Sequence, residues 1–172
     1  MMEKIEHQYY QSICEFAEGV NSAHSPKDVL SRIVEGIAKA MGAKACSVFL
    51  LVLDNKILLR LASYGLSEEY LKKGVVSAEK SVGEALAGKA VTFLNVPDDE
   101  RIQYREEAKQ EGIASILAVP MMYKMDAIGI ILVYTGETHH FTDTDIYFVN
   151  AAAHLGAIAL QNAKDMRFFG FT

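Results

Sequence analysis

The chain has 172 residues, a formal net charge of −5 at pH 7 and a hydrophobic content of 51%. These values predict one domain with a substantial core, and the negative charge argues against nucleic acid as a partner. No apolar run approaches the roughly 20 residues that cross a bilayer, and the N-terminal sequence has no signal-peptide core. We therefore expect a cytoplasmic protein without a membrane partner.

Two helices are predicted at the start of the chain. Residues 4–20 carry an apolar stripe at spacings of three and four, formed by Ile5, Tyr9, Ile13, Phe16 and Val20. A second helix follows the capping box of Ser25 and Asp28 and ends at Gly42. We divide the chain into residues 1–24, a helix that packs on the domain or on a dimer partner, and residues 25–172, one domain with a long C-terminal helix.

Two hairpins and a helical middle region are predicted next. The segments "ACSVFLLVL" and "KILLRLAS", separated by Asp54 and Asn55, form the first hairpin, and its first strand is apolar on both faces, which predicts a central position. The segments "SILAVPMM" and "DAIGIILVY" form the second, with the turn at residues 124–127. Pro120 predicts an edge, a bulge or a strand end at its position, because proline cannot donate to a sheet ladder.

The region between the hairpins contains short elements. We predict a helix near residues 68–72, a helical turn at residues 81–87, a strand at residues 90–95 and a charged helix at residues 101–111. The last helix begins at Thr142, has Asp145 three residues later, and extends to about residue 166. The elements together predict an α+β fold with a central, mainly antiparallel sheet of five to six strands and helices on both faces.

The last helix has an unusual composition. Its segment "AAAHLGAIALQNA" is apolar or small on nearly every side, and such a helix is normally buried all round. Its small residues are Ala152, Gly156, Ala159 and Ala163, which would let another helix approach closely. We therefore predict a homodimer in which the first and last helices pair between two subunits; the alternative is that these helices cover each other within one chain.

The order of the elements resembles the GAF domain, a small sensory module of signalling proteins. The resemblance is carried by "KAVTFLNVPDDERIQYREEAKQEGIASILAVPMMYKMDAIGIILVYTGETHHFTDTDIYFVN" from Lys89 onward, together with the upstream "ACSVFLLVLDNKILLRLASYGL". It covers roughly residues 25–163. It implies a GAF-like fold with the terminal helices on one face of the sheet, where they often pair between subunits, and the connecting helices on the other face.

The resemblance also implies a ligand site. In GAF sensors that bind small molecules, the ligand lies between the sheet and the connecting helices. The matching positions here, as candidate ligand-binding residues for an unidentified small molecule, are Ser81, Gly83, Glu84, Phe93, Asn95, Asp98, Asp99, Arg101, Tyr104, Ser115 and Ala118. An alternative stays open, in which the two aspartates cap the next helix, Arg101 pairs with them, and Phe93 belongs to the core.

Several specific chemistries of GAF relatives are disfavoured by the sequence. Relatives that bind cyclic nucleotides carry an Asn-Lys pair and later a Phe followed after three residues by Asp-Glu, whereas this chain has Phe141 and Asp145 but Ile146 in the last position. Relatives that attach a bilin through this domain use a Cys next to a His, and neither Cys14 nor Cys46 has that neighbour.

Thiol and metal chemistry find little support either. Methionine sulfoxide reductases of this fold use several thiols on the ligand side, because the reaction needs an attacking thiolate and a resolving partner. Cys14 lies on the first helix, on the other side of the sheet, and Cys46 alone has no resolving partner. We therefore expect both cysteines to be small buried apolar residues. The neighbouring His139 and His140 would point in different directions, and His154 lies among alanines, so no metal site is predicted. The cofactor, if there is one, is unknown.

We therefore predict a non-enzymatic sensory or regulatory domain that signals through its terminal helices. It is either part of a longer chain or acts on a separate output protein. Two alternatives stay open. The first is a dimeric interaction scaffold whose pocket is filled by Phe93, Tyr104 and Leu117. The second is a free methionine sulfoxide reductase, which requires Cys46 to be accessible on the face of the sheet that the connecting helices cover.

Overall fold

The computed structural model describes residues 1–22, 25–52 and 56–168, with side chains as far as Lys164. The described helices are α1 (Met2–Asn21), α2 (Pro26–Met41), α3 (Glu68–Leu71), α4 (Gly83–Leu86), α5 (Arg105–Glu111) and α6 (Asp143–Phe168), with a 3-10 turn at Val96–Asp98. The strands are β1 (Ala45–Val52), β2 (Ile57–Tyr64), β3 (Val76–Ser77), β4 (Val91–Phe93), β5 (Ser115–Tyr123) and β6 (Asp126–Thr135). The predicted turn at Asp54 and Asn55 lies outside the described residues.

The six strands form one antiparallel sheet in the order β3-β2-β1-β6-β5-β4. The apolar strand β1 lies near the centre, between β2 and β6, as its sequence predicts. Strand β4 pairs with β5 only as far as Ala118, so Pro120 faces no ladder partner from β4. The β5–β6 register also shifts just beyond it, between Met121 and Met122. The expectation for Pro120 is therefore confirmed.

Helices α1, α2 and α6 cover one face of the sheet. Their core includes Cys46, Val48 and Leu117 from the strands. Helix α1 packs on α2 and α6, where the ring of Tyr9 stacks on Phe148 with 4.1 Å between the centroids. Part of the α1 stripe is thus covered within the chain, while Ile5 remains 42% exposed.

The predicted helix boundaries that depend on local caps are confirmed. The Asp28 N–H donates to Ser25 Oγ over 3.2 Å, and Gly42 ends α2 with a φ of 60°. Thr142 and Asp145 form a reciprocal capping box, because the Asp145 N–H donates to Thr142 Oγ1 over 3.1 Å and the Thr142 N–H donates to Asp145 Oδ2 over 2.9 Å.

Two predictions about helices are wrong. Helix α5 begins at Arg105 and not at Arg101, because the preceding residues form the 3-10 turn and a second turn in which Asp99 Oδ1 accepts from the Arg101 N–H. Helix α6 is not buried all round. Tyr147 is 71% exposed and Ile158 is 44% exposed, since α1, α2 and the sheet cover only part of its circumference.

The other face of the sheet is covered by the connecting segments between β2 and β5. A second core lies there, built from Phe49, Leu132 and Tyr134 of the sheet and from Tyr70 and Val82 above them. The α+β architecture and its two layers of helices agree with the expected GAF-like fold. The covering segments, which we call the roof (residues 66–113), define the space in which the predicted site would lie.

Candidate functional site

A small cavity lies between the sheet and the roof. It has a volume of about 40 Å³ and is lined by Phe49, Tyr70, Lys73, Val76, Ser81, Val82, Phe93, Ile102, Gln103, Tyr104, Ile116, Leu132 and Tyr134. This volume holds roughly three water molecules, whereas sites for drug-sized molecules are usually about 300–1,000 Å³. The cavity is therefore nearly filled by its own side chains.

Six of the predicted site residues lie at this cavity or beside it. Ser81, Phe93 and Tyr104 line the cavity itself. An open depression on the outer surface of the roof is lined by Ser81, Gly83, Glu84 and Arg101. Ser81 lines both the cavity and the depression, so the two spaces are adjacent.

The remaining predicted residues lie outside both spaces. Asn95 donates from Nδ2 to Asp98 Oδ2 over 2.8 Å on the surface. Ser115 is buried, donates to the Leu94 carbonyl over 2.6 Å and accepts from the His139 N–H, so it fixes two loops. Ala118 packs in the core below the roof without lining the cavity.

Asp99 lines neither the cavity nor the depression, but it pairs with Arg101, which lines the depression. Its carboxylate accepts from the Arg101 guanidinium over 2.6 and 3.0 Å, and these hydrogen bonds lower the pKa of Asp99. The guanidinium also lies over the Phe93 ring, 4.6 Å from its centroid. The proposed pairing of Arg101 with an aspartate and the core position of Phe93 are thus both present.

A set of hydrogen bonds closes the roof, and sequence reasoning missed its central residue, Gln103. The Ser77 N–H donates to Gln103 Oε1 over 2.9 Å, and Gln103 Nε2 donates to the Val75 carbonyl over 3.0 Å. The Gln103 N–H donates to Ser81 Oγ over 2.8 Å, and the Tyr104 hydroxyl donates to the Val75 carbonyl over 2.6 Å. We call these four bonds the roof clasp.

Lys73 is the second residue that sequence reasoning missed. Its ammonium lies 3.8 Å from the centroid of the Tyr70 ring and 5.8 Å from that of Tyr104. Within the described part of the chain it forms no salt bridge. Burial lowers the pKa of Lys73 to about 8, and the positive charge of Arg60 acts in the same direction. In the sequence nothing distinguishes it from its neighbour Lys72, which is exposed.

The floor of the cavity contains a buried polar pair. The hydroxyls of Ser47 and Tyr134 lie 2.7 Å apart, and both residues are almost fully buried. The Tyr134 ring meets the Tyr70 ring edge-on, with 6.2 Å between the centroids. Burial raises the pKa of Tyr134 well above its ordinary value, so its hydroxyl stays protonated and serves as a neutral hydrogen-bonding group.

A second polar cluster lies on the helix side. The Tyr9 hydroxyl donates to Asp145 Oδ1 over 2.7 Å, and His139 Nε2 lies 3.3 Å from Asp145 Oδ2. Burial raises the pKa of Asp145, but hydrogen bonds from Thr142, Tyr9 and His139 outweigh it and lower the pKa below its ordinary value. This cluster joins α1 to the start of α6.

Neither cysteine lines the cavity. Cys46 is fully buried in the core on the helix side, as expected of a small apolar residue, and burial raises the pKa of its thiol. Cys14 is exposed on α1, so the expectation that it is buried is wrong. Leu117 also points to the helix side, so it cannot fill the cavity as the scaffold hypothesis required.

Comparison with known proteins decides the family. A family model described as GAF domain matches residues 23–161, which is most of the chain. The chain belongs to the GAF domain family. GAF domains are a family of small-ligand sensing and regulatory domains, so the resemblance noted in the sequence is confirmed. No curated relative matches the chain.

Solved structures with the same fold include two GAF domains of phosphoenolpyruvate-protein phosphotransferases. The one from Acinetobacter is 24% identical, covers 91% of this chain and 94% of that chain, and has a TM-score of 0.76. The one from Coxiella burnetii is 20% identical, covers 93% and 96%, and has a TM-score of 0.82. At these identities the likeness establishes the fold.

An enzyme shares the fold as well. The free methionine-R-sulfoxide reductase from Neisseria meningitidis, solved with its substrate, is 16% identical to this GAF domain, covers 91% of this chain and 90% of that chain, and has a TM-score of 0.76.

Among the described residues, no helix is long and apolar enough to span a membrane, and no three His, Cys, Asp or Glu side chains are grouped to hold a metal ion.

Proposed function

We propose that this GAF domain is a non-catalytic sensor that binds a small ligand between the sheet and the roof. The observation that carries the proposal is the cavity beneath the roof, which combines an apolar and aromatic lining with a few polar residues, namely Lys73, Ser81, Gln103 and Tyr104. Binding sites in proteins typically have this composition.

The small volume of the cavity suggests how binding would become a signal. A ligand larger than about three water molecules requires the roof to move away from the sheet. Movement of residues 75–81 relative to residues 102–104 breaks the roof clasp, and each of its hydrogen bonds contributes about 1 kcal/mol. A ligand that binds only the raised state would shift the population towards that state.

A route from the cavity to the terminal helices exists in the chain itself. Strand β6 carries Leu132 and Tyr134 in the floor and leads through residues 136–142 into α6. There Asp145 holds α1 through the Tyr9 hydroxyl. In our proposal a displacement of the floor changes the position of α1 on α6, and α1 or α6 presents the signal to an output partner.

The reductase alternative is disfavoured by the position of Cys46. Attack on a sulfoxide requires an accessible thiolate, but Cys46 is fully buried on the side of the sheet away from the cavity. The interaction-scaffold alternative is favoured by one specific observation, which is that the cavity is nearly filled. The two hypotheses differ in whether any small molecule enters it.

The matched variants Val76→Trp and Val75→Trp test the sensor proposal. Val76 lines the cavity, whereas Val75 is exposed. We expect small molecules found by native mass spectrometry and thermal-shift screening of the whole protein to bind the wild type and Val75→Trp but not Val76→Trp. Equal binding to both variants would place the ligand outside the cavity and refute the proposed site, and binding of no small molecule to the wild type would favour the scaffold.

We also propose that the protein is a homodimer through α1 and α6. Ile5 on α1 and Ile158 on α6 remain partly exposed, and two subunits that pair these helices would cover them. Light scattering should give a dimer mass for the wild type and a monomer mass for the double variant Ile5→Lys, Ile158→Lys. Met125→Lys is the control, because Met125 is 89% exposed at the β5–β6 turn. A monomer mass for the wild type at micromolar concentration would refute the homodimer proposal.

A further inference from the structure

The lining of the cavity beneath the roof contains a lysine that forms no salt bridge among the described residues. This residue is Lys73, and its ammonium faces the Tyr70 ring at 3.8 Å. Taking an ammonium out of water without an anionic partner is unfavourable. A bound anion would supply the missing partner.

The other charged groups around the cavity do not supply it. Arg101 is already neutralised by Asp99 on the outer surface. Glu107 and Glu111 attract Lys73 electrostatically, but neither forms a salt bridge with it, and the Glu111 carboxylate accepts hydrogen bonds from the main chain and side chain of Ser67. These two carboxylates therefore lie beyond salt-bridge distance of Lys73, and neither lines the cavity.

Arg60 is a second cation near Lys73, but it does not line the cavity. Its guanidinium donates to the Leu71 carbonyl over 3.1 Å, just before Lys73 in the chain, and its positive charge lowers the pKa of Lys73, whereas Glu107 and Glu111 act in the opposite direction. Lys73 is therefore the cation that a ligand in the cavity would meet, and it disfavours an amine-bearing ligand by like-charge repulsion.

The rest of the lining decides the chemical class of that anion. Phe49, Val76, Phe93, Ile116 and Leu132 are apolar and surround most of the cavity. A single compact ammonium pairs well with one negative charge, whereas a doubly charged phosphate would lose its hydration among apolar groups without a second close cation. A carboxylate attached to a short carbon skeleton satisfies both parts of the lining.

We infer that the ligand of this cavity is a small organic acid, with its carboxylate on the Lys73 ammonium and its carbon skeleton among the apolar side chains of the floor. Lys73 is then the residue that selects the charge of the ligand. The inference rests on the proposed function, because it assumes that the cavity takes a ligand. It assigns the selection of ligand charge to Lys73 and not to Arg101, which is paired with Asp99.

Four-heavy-atom probes of different charge test the inference on the full chain. Acetate, acetamide and propylamine are titrated separately into isotope-labelled protein, and the amide signals of the roof and floor are followed by nuclear magnetic resonance. We expect acetate to perturb these signals and to bind more tightly than acetamide, with propylamine weakest. Affinity should rise about fourfold for each methylene added from acetate to butyrate, as the tail is buried.

The variant Lys73→Met and its control Lys72→Met separate the charge from the fold. Lys72 is exposed and adjacent in the chain. Lys73→Met should weaken acetate binding by about tenfold or more, the loss of a charge-assisted hydrogen bond, and should leave acetamide binding unchanged. Lys72→Met should leave both unchanged. Thermal unfolding of each variant verifies that the fold is intact.

The possible failures are distinguishable. Acetamide or propylamine binding as tightly as acetate, or acetate binding that survives Lys73→Met, overturns the carboxylate assignment while leaving a small-molecule site under the roof. No perturbation of roof or floor signals by any probe overturns both the assignment and the proposed sensor function. Perturbation confined to α1 and α6 has the same meaning, because it places binding on the other side of the sheet.

Discussion

Replacement of Lys73 by Met should stabilise the protein at neutral pH. The pKa of Lys73 is lowered from 10.5 to about 8 in the folded protein, and at about 1.36 kcal/mol per pKa unit this corresponds to at most about 3.4 kcal/mol. Solvent screening of the half-buried ammonium and its contact with the Tyr70 ring offset part of that cost. We expect Lys73→Met to raise the free energy of unfolding by about 1–2 kcal/mol at pH 7.

The pH dependence of this gain follows from the direction of the shift. Because the folded state favours neutral Lys73, the cost of its charge is fully present below pH 8 and disappears as pH rises towards the unfolded value of 10.5. The stability difference between wild type and Lys73→Met should therefore shrink between pH 8 and pH 10.5.

Urea denaturation at several pH values between 7 and 10 measures this difference directly. Lys72→Met is the control, and it should match the wild type throughout, because Lys72 is exposed. A difference that is constant with pH would show that burial does not penalise the charge of Lys73. A less stable Lys73→Met at pH 7 would show that the ammonium contact with Tyr70 outweighs burial, and either result refutes the reasoning.

Three further predictions concern other parts of the molecule. Tyr9→Phe keeps the aromatic stack but removes a donor to Asp145, and should cost about 1.5–3 kcal/mol in urea denaturation; an unchanged midpoint would show that this bond does not hold α1. A thiol reagent should label Cys14 at once and Cys46 only after unfolding; rapid labelling of both would contradict the burial of Cys46. Gly129→Ala should destabilise by at least about 1–3 kcal/mol, because the new Cβ would meet the backbone of strand β1; a neutral result in thermal unfolding would mean that the two strands separate easily.

Features that depend on neighbouring residues could be predicted from the sequence. The caps at Ser25 and Thr142 join residues three apart, so their pattern is visible in the chain. The central position of β1 follows from its apolar residues on both faces. The exposed side of α6 could not be predicted, because the composition of a helix does not show how much of its surface the neighbouring helices α1 and α2 cover.

The candidate site depends on contacts between distant residues, so the sequence predicted it less well. Gln103 closes the roof through Val75 and Ser77, which precede it by 28 and 26 positions, and no local pattern marks it. Lys73 differs from Lys72 only in the direction in which the α3–β3 segment turns. The resemblance led to residues that line the cavity, such as Phe93 and Tyr104, but it did not mark Gln103 or Lys73.

The short outer strands of the sheet have a consequence for self-association. Strand β3 pairs only with Ile57 and Leu58 of β2, and β4 pairs only with residues 116–118 of β5, so the rest of each longer strand has no strand neighbour on its outer side among the described residues. Long exposed margins are templates on which another chain can add a strand and start aggregation. In β5 this margin contains Pro120, whose nitrogen cannot donate a hydrogen bond to an added strand, and in β2 it contains the charged Arg60. These two residues, and not the length of the margins, discourage growth of an aggregate through the sheet.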